Sequence, residues 1–547
     1  MAAEPQKIKQ RLSALKADKQ LHEDVWQKCF ELSIPERGSG LLSSQILTAS
    51  EAQTKRAVIY DATAPDAVNV GVATVMGGMV PSNSQWFFLD LGGDESDAEQ
   101  VWLDGAAKFI WENTHAGNFD AEAFDALLDV WIAGWCVLYI DEADEGGFHT
   151  ETWPLGECTV ASSRPGGLID TVYREQQLTV AQVVTEYGLD AVSEKVRRQF
   201  EDRKYDEKVC IVHAIEPRDL YDPKAKLGKN MRFSSCHMEV ESQQVLRESG
   251  YQEFPCMVPR WRRLPNSPYA TGPMSAALPD VRTLNEVTKW TLMGAETAIA
   301  PPMIAEDDGV LNPRNIRMGP RKIIVANSVD SMKPLITGAK VDVGLLTKEG
   351  LQAMVRKILM ADQLPPADGP VKTAYEWSVR VQTLRQMLGP MFGRFQAEFL
   401  QPLVERCFGI AWRANIRSGF RLMGRPPETL LNRNFTVRYL SPLARAQREE
   451  EISGMDRYEA DVANTVQLTG KAELLDIYDW EEAKRIKGRM LGIPSKLVRD
   501  ARAMAQINEA KAKQQQAAQA QAQEQALAAN GQAEMQSAMA QRMAKAA

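Results

Sequence analysis

Two helical patterns on either side of a short turn-rich stretch constrain this chain more than any other feature in it. Residues Gly272 to Ala300 form a long helical pattern, with Pro273 early in its first turn and Leu278, Val281, Leu284 and Val287 on one face. Pro301-Pro302 end it sharply. Leu351, Met354, Val355, Ile358 and Leu359 then sit at i, i+3, i+4, i+7 and i+8, the spacing of an amphipathic helix over about Leu345 to Met360. Between the two, Met303 to Val343 holds turn residues around one strand-like run, Ile323-Ile324-Val325-Ala326. The chain is therefore expected to form two helices flanking a small α/β excursion.

The rest of the chain has to be arranged around that pair. The opening stretch to Ser33 reads as a helix stopped by Pro35, with Leu12, Leu15, Leu21, Val25 and Phe30 as its candidate buried stripe. After the loop Arg37-Gly38-Ser39-Gly40, a small-residue helix is predicted from about Ala64 to Met79, with Gly77-Gly78 as its C-terminal cap and site of close backbone packing. Pro81-Ser82-Asn83-Ser84 closes it as a turn. A second helical block, Val101 to Ile140, is rich in Trp102, Phe109, Trp111, Phe124, Leu127 and Trp131 and ends in the strand Val137 to Ile140. Phe148 to Ile215 mixes strands with turns such as Arg164-Pro165-Gly166-Gly167 and one charged helix around Ala191 to Arg203.

Past the second helix of the pair lies the Pro/Gly-rich segment Leu364 to Pro370, and then Thr373-Ala374-Tyr375-Glu376, whose spacing is that of a capping box. The helix it opens carries Trp377, Val381, Leu384 and Leu388, is kinked at Gly389-Pro390, continues to Phe395 and Phe399, and bends again at Pro402. Beyond Ser441-Pro442 the chain is charged and helical to about Ala510. Gln and Ala then dominate, which leaves a frayed helix, disorder, or a helix ordered by neighbouring copies. The fold class is α+β, predominantly α-helical.

With 547 residues, 44% hydrophobic and 25% charged, the chain is an ordinary soluble, folded one with room for several packed regions. Met1 to Lys7 has no apolar stretch, so cytosolic synthesis is expected. The seven scattered cysteines include no CxxC pair and suit reduced core thiols. A net charge of −8 and a pI near 5.5 argue against a protein that grips nucleic acid along a broad basic face. An acidic surface still suits a conduit that phosphates slide past.

Catalytic signatures are missing. Gly228-Lys229-Asn230 and Gly470-Lys471-Ala472 lack the leading glycine and the hydroxyl of a P-loop, and neither an HExxH pair nor a GxSxG elbow occurs. Cys236-His237 fits a strand with one side chain in and one out better than a metal site. Asp141, Glu142, Asp144 and Glu145 imitate a two-metal nuclease cluster, yet their place after a short strand beside Gly146-Gly147 fits a solvated turn. The aromatics of Trp131-Ile132-Ala133-Gly134-Trp135 have no interleaved Lys or Arg and read as core.

Five segments, in order, carry a resemblance. They are Ile59-Tyr60-Asp61-Ala62-Thr63-Ala64 through Met76-Gly77-Gly78-Met79 and Pro81-Ser82 to Trp86-Phe87-Phe88-Leu89; Asn118-Phe119 followed by Gly134; Gly272-Pro273 with Ala277-Leu278-Pro279-Asp280 and Leu284-Asn285; Thr373-Ala374 with Glu376, Arg380, Leu388-Gly389-Pro390 and Leu400-Gln401-Pro402-Leu403; and Ser441-Pro442-Leu443-Ala444-Arg445. Together they resemble the head-to-tail connector, or portal, family of short-tailed, podovirus-type bacteriophages, over the chain to about residue 510.

The resemblance implies a subunit with wing, stem, clip, tunnel loop and crown that assembles into a homododecameric ring. Residues 1–270 would be the wing, 271–302 and 345–362 the stem helices, 303–344 the clip and 363–373 the tunnel loop. A long kinked helix returning to the wing would occupy 374–440, a helical crown 441–510, and a Gln/Ala tail, barrel-like or disordered, 511–547. Lys372 is then the candidate for a basic group facing DNA, repeated as a ring of charge on the axis, against the alternative of a solvated residue beside a helix start. The implied function is a channel at one capsid vertex for packaging and ejecting the genome, with no catalysis, cofactor or metal. The implied partners are the major capsid protein, scaffolding protein, terminase large subunit, tail adaptor or nozzle proteins, internal core or ejection proteins, and double-stranded DNA without sequence preference. The location would be the virion, after assembly in the host cytoplasm. The alternatives are an internal core or ejection protein, or a metal-dependent nuclease built on Asp141 to Glu145.

Overall fold

The computed structural model describes residues 4–38, 49–90, 97–143, 146–222, 227–299, 303–305, 332–334, 341–361, 391, 393–430, 436–439, 442–470, 477–491, 504, 507, 509–511 and 513–514. In chain order the helices are α1 (Pro5–Glu31), α2 (Ala49–Arg56), α3 (Thr63–Met79), α4 (Asp97–Ala116), α5 (Phe119–Ile132), α6 (Val180–Tyr187), α7 (Glu194–Glu201), α8 (Pro273–Ile299), α9 (Val341–Ile358), α10 (Gln401–Arg417), α11 (Pro442–Thr469) and α12 (Trp480–Leu491). The strands are β1 (Phe87–Asp90), β2 (Val137–Glu142), β3 (Phe148–Trp153), β4 (Cys158–Ala161), β5 (Thr171–Thr179), β6 (Lys208–Pro217), β7 (Phe233–Glu239), β8 (Val245–Tyr251), β9 (Cys256–Met257), β10 (Arg262–Arg263), β11 (Ala270–Thr271), β12 (Met303–Ala305), β13 (Met332–Pro334) and β14 (Thr436–Tyr439). Two compact units result, one of residues 1–86 and 109–422, the other of 87–108 and 423–547.

The first unit is built on an antiparallel five-stranded sheet in the order β4-β5-β6-β7-β8 and a three-stranded sheet β3-β2-β9. Strand alternation divides the larger sheet into two chemistries. Tyr173, Val212, Ala214, Cys236 and Met238 point to one face and pack on Ile8 and Leu12 of α1. Arg174, His213, Ser235 and His237, one residue out of step, take the other face. At one end of the sheet Ile211 and Leu246 are covered by Val180 and Val183 of α6 and Val196 of α7. Thr179 and Gln182 form a reciprocal capping box that starts α6, and the Ser193 hydroxyl accepts from the Val196 amide to start α7.

The α1 helix ends where Pro35 predicts, but its buried face is rotated from the expected one. Ile8, Leu12, Trp26, Cys29 and Phe30 are buried, whereas Leu21 is 76% and Val25 42% exposed. The neighbours decide this. Ile8 and Leu12 meet the sheet, while Trp26 joins an aromatic cluster with Trp135 and Tyr269, ring centroids 5.5 and 5.3 Å away. Likewise Val355 and Leu359 of the second predicted helix are buried while Met354 is exposed.

The predicted block from Val101 to Ile140 is two helices, α4 and α5, followed by β2 as expected. In the described part of the predicted excursion, β12 pairs antiparallel with β13, Met303 opposite Pro334. The run Ile323 to Ala326, the capping box at Thr373, the kink at Gly389-Pro390 and the Gln/Ala tail beyond residue 514 lie outside the described residues. A π-type turn over Gln396–Leu400 leads into α10, whose second residue is Pro402. Pro402 has no N–H to return to the carbonyl of Glu398, which accounts for a widened turn at the second predicted bend.

In the second unit β1 pairs with β14, Phe87 opposite Tyr439 and Leu89 opposite Val437. Between α11 and α12, the Lys487 ammonium lies 2.6 Å from Asp456 and 2.7 Å from Glu459, and Lys484 is 2.9 Å from Glu459.

Candidate functional site

The helix pair is held at its root by small residues and by one short segment. A Cβ on Gly272, just before α8, would lie 2.4 Å from the Trp131 carbonyl oxygen. One on Gly134, whose φ is +96°, would lie 2.3 Å from the Thr271 carbonyl carbon. Only glycine permits this double approach between the end of α5 and the start of α8. At the far end of α9 the Leu359 carbonyl oxygen sits 2.7 Å from where a Cβ of Gly71, in α3, would be. The expected close packing at Gly77-Gly78 is therefore displaced by two turns. Those two glycines lie inside the last turn of α3 with nothing within 4 Å of an added Cβ, and Val80 is the cap.

Further along the pair, the segment Val58 to Thr63 is bound to both helices by two side chains. Asn285 of α8 accepts from the Tyr60 amide at 2.7 Å and donates to the Val58 carbonyl at 3.1 Å. The Asp61 carboxylate accepts from the Thr63 amide at 2.9 Å, from Gln352 of α9 at 2.9 Å and from the Thr288 hydroxyl of α8 at 3.5 Å, and lies 3.3 Å from the Lys348 ammonium of α9. Burial alone would raise this carboxyl, but donors from Thr63, Gln352 and Lys348 outweigh it and hold it below the usual carboxylate range. Past Thr288 the apolar side chains of α8 are uncovered: Trp290 is 65% and Ile299 85% exposed, with Leu292 and Met293 also exposed.

A second concentration of polar groups fills a cleft of about 680 Å³ between the polar face of the five-stranded sheet, β2, β3 and α10. His213 and His237 stack on its floor, ring centroids 3.9 Å apart and 19° from parallel. His213 Nε2 bonds to the Ser235 hydroxyl at 2.9 Å, and His237 Nδ1 to the Tyr187 hydroxyl at 2.9 Å. Burial, and then the positive groups nearby, pushes His213 well below the ordinary histidine value and His237 down to about 3. The arginines of the walls are already paired. Arg174 donates to Glu151 and Glu157, Arg406 to Asp141 and Glu253, Arg413 to Glu253, and Arg247 lies 3.3 Å from Glu186. This arrangement is a cross-braced polar wall; among the described residues no cluster of three or more His, Cys, Asp or Glu is placed to hold a metal ion.

Lys372 and the segment 363–373 lie outside the described residues. Asp141 and Glu142 end β2 and belong to the ion-pair wall, Asp141 accepting from the Tyr139 hydroxyl at 2.6 Å and from Arg406, and Glu142 pairing with Arg417. Asp144 and Glu145 lie outside the described residues. Cys236 is in the core under α1 and His237 on the opposite, cleft-facing side of β7. Trp131 and Trp135 are fully buried, and all seven cysteines are free thiols. What the sequence reasoning missed is Asp61 with its partners Thr288, Lys348 and Gln352. The one local signal for it was an acidic residue two places before a helix start, the position from which its carboxylate accepts the Thr63 amide.

The model of a protein family described as "Bacteriophage head to tail connecting protein" matches residues 5–498. This chain belongs to that family. Within phage proteins, it is 27% identical over 527 residues to the portal protein of Salmonella phage epsilon15, covering 93% of this chain and 92% of that one. It is 28% identical over 526 residues to the probable portal protein of Bordetella phage BPP-1, covering 92% and 90%. A solved chain from the neck of an empty GTA particle covers 78% of this chain and 89% of its own at 12% identity, with a TM-score of 0.33, too loose a likeness to bear on the fold. The connector-family match takes in both helices of the pair, the Asp61 and Asn285 clamp and the cleft.

Proposed function

We propose that this connector-family chain is a portal subunit that forms a closed ring at one capsid vertex, through which double-stranded DNA is packaged and later ejected. The family match over residues 5–498 carries the reading. The helix pair supports it: α8 and α9 are rooted in the first unit, while Trp290, Leu292, Met293 and Ile299 leave apolar surface along α8 that a neighbouring copy in a ring would cover. In this assignment residues 271–302 and 345–362 are the stem, 303–344 the clip, 363–373 the tunnel loop, and 441–510 the crown, with 1–270 as wing. Lys372 would place one positive charge per copy on the channel axis of an otherwise acidic subunit.

The role is mechanical. Of the four carboxylates of the nuclease alternative, Asp141 and Glu142 are engaged by Arg406 and Arg417. The clip would receive the terminase large subunit during packaging and tail adaptor or nozzle proteins afterwards. Capsid and scaffolding protein would meet the wing, and internal core or ejection proteins the crown. Negative-stain electron microscopy of the purified full chain tests the reading. Rings with a central hole in end-on views are expected, and particles that stay monomeric or dimeric across salt and concentration would overturn it.

A further inference from the structure

We propose that Asp61 is a pin that makes α8 and α9 move as one body with the segment Val58 to Thr63, so that displacement of either helix reaches the start of α3. Three observations carry this. A single buried carboxylate bonds Thr288 on α8, Gln352 and Lys348 on α9, and the Thr63 amide in the first turn of α3. Asn285, one turn earlier on α8, fastens the same segment through two opposed hydrogen bonds at Tyr60 and Val58. The pin also sits where the covered part of α8 gives way to its exposed part. Leu284, Asn285 and Thr288 are buried, and Trp290, Leu292 and Met293 are not. A load on the exposed stretch therefore meets its first fixed point at the turn Asn285–Thr288.

The chemistry favours coupling over simple packing. Packed apolar side chains of two helices can slide past one another at small cost, whereas a buried carboxylate stripped of one donor keeps its charge and must find another. Separating α9 from α8 would strand Asp61 on whichever side it follows. The four-way bond resists relative motion of the two helices.

Hydrogen–deuterium exchange on the full chain, in the assembly state it adopts, tests the pin. In Asp61→Asn the amide oxygen can still accept from Thr63, but its NH2 faces Gln352 and Lys348. Amides of α9 around Lys348 to Val355 and of α8 around Asn285 to Thr288 should then exchange about tenfold faster or more. The double variant Lys348→Ala, Gln352→Ala leaves Asp61 in place and cuts only the α9 side. The pin requires the Thr63 amide to exchange faster here too, although the substitutions lie on another helix. Val355→Ala, which loosens α9 packing but removes none of the groups that bond Asp61, should speed exchange in α9 and leave Thr63 unchanged. If the double variant loosens α9 alone, or if Val355→Ala reaches Thr63 equally, the coupling is ordinary packing and the proposal fails.

Discussion

Neither imidazole of the His213–His237 stack can take a proton without placing a charge against the other ring and near Arg247, with Arg174 also acting on His213. Both folded values lie below the ordinary one. From about pH 6.5 downward, the unfolded chain therefore binds protons that the folded chain refuses, and stability falls with falling pH. His237 alone should cost about 2 kcal/mol between pH 7 and pH 5. Urea unfolding at the two pH values measures this, and His237→Gln should flatten the difference; equal slopes in both proteins would mean that water reaches the stack. The Arg260–Glu398 pair is of another kind. Both side chains are buried, and Glu398 accepts from the Arg260 amide at 3.0 Å and from two of its guanidinium nitrogens at 3.1 and 2.7 Å. Glu398→Gln leaves the guanidinium buried without its counter-charge and should cost about 3–5 kcal/mol in the same urea assay. A loss under 1 kcal/mol would show that the π-type turn opens to admit water.

At the scale of elements, glycine position separates what holds the helix pair from what merely occurs in a helix. A methyl group at Gly134 or Gly272 would meet backbone atoms at 2.3 or 2.4 Å, and backbone cannot swing aside as a side chain can. Gly134→Ala and Gly272→Ala should each prevent soluble expression or lower the melting temperature by about 3 °C or more, an effect of several kcal/mol in a unit this large. Gly77→Ala and Gly78→Ala face open space on a helix and should be neutral or stabilising by up to about 1 kcal/mol. Equal melting temperatures for all four would contradict the close approach. The contrast also marks how far sequence reaches. Periodicity placed α1, α3, α8 and α9 within a few residues, because an amphipathic stripe is a local property. It misjudged Leu21, Val25 and Met354, because which part of a stripe is buried depends on neighbours far along the chain. The Gly77-Gly78 expectation failed for the same reason: the tight contact is made by whichever glycine Leu359 and Trp131 approach, and that is Gly71. Tyr60 and Asn285 are 225 residues apart, so their pairing is invisible to any local pattern even though both stood in motifs that marked the family.

For the molecule as a whole, charge and apolar surface pull in opposite directions. Each chain carries a net −8, so bringing copies together raises mutual repulsion, which salt screens beyond about 10 Å at 0.1 M. Burial of apolar side chains is nearly indifferent to moderate salt and favours contact. If copies close into the proposed ring with α8 contributing the apolar part of the contact, the fraction assembled should rise with salt in the native chain. In the variant Trp290→Glu, Met293→Glu, assembly should fall sharply at every salt concentration, because two more charges per copy replace surface that association would bury. Both side chains are more than half exposed in the single chain, so the substitutions should leave its melting temperature within about 2 °C of native. Sedimentation velocity across 50–500 mM salt reads both effects at once. Native rings that dissociate as salt rises would place ion pairs, rather than α8, at the centre of the contact. A variant that assembles like the native chain would move the contact off the Trp290 face.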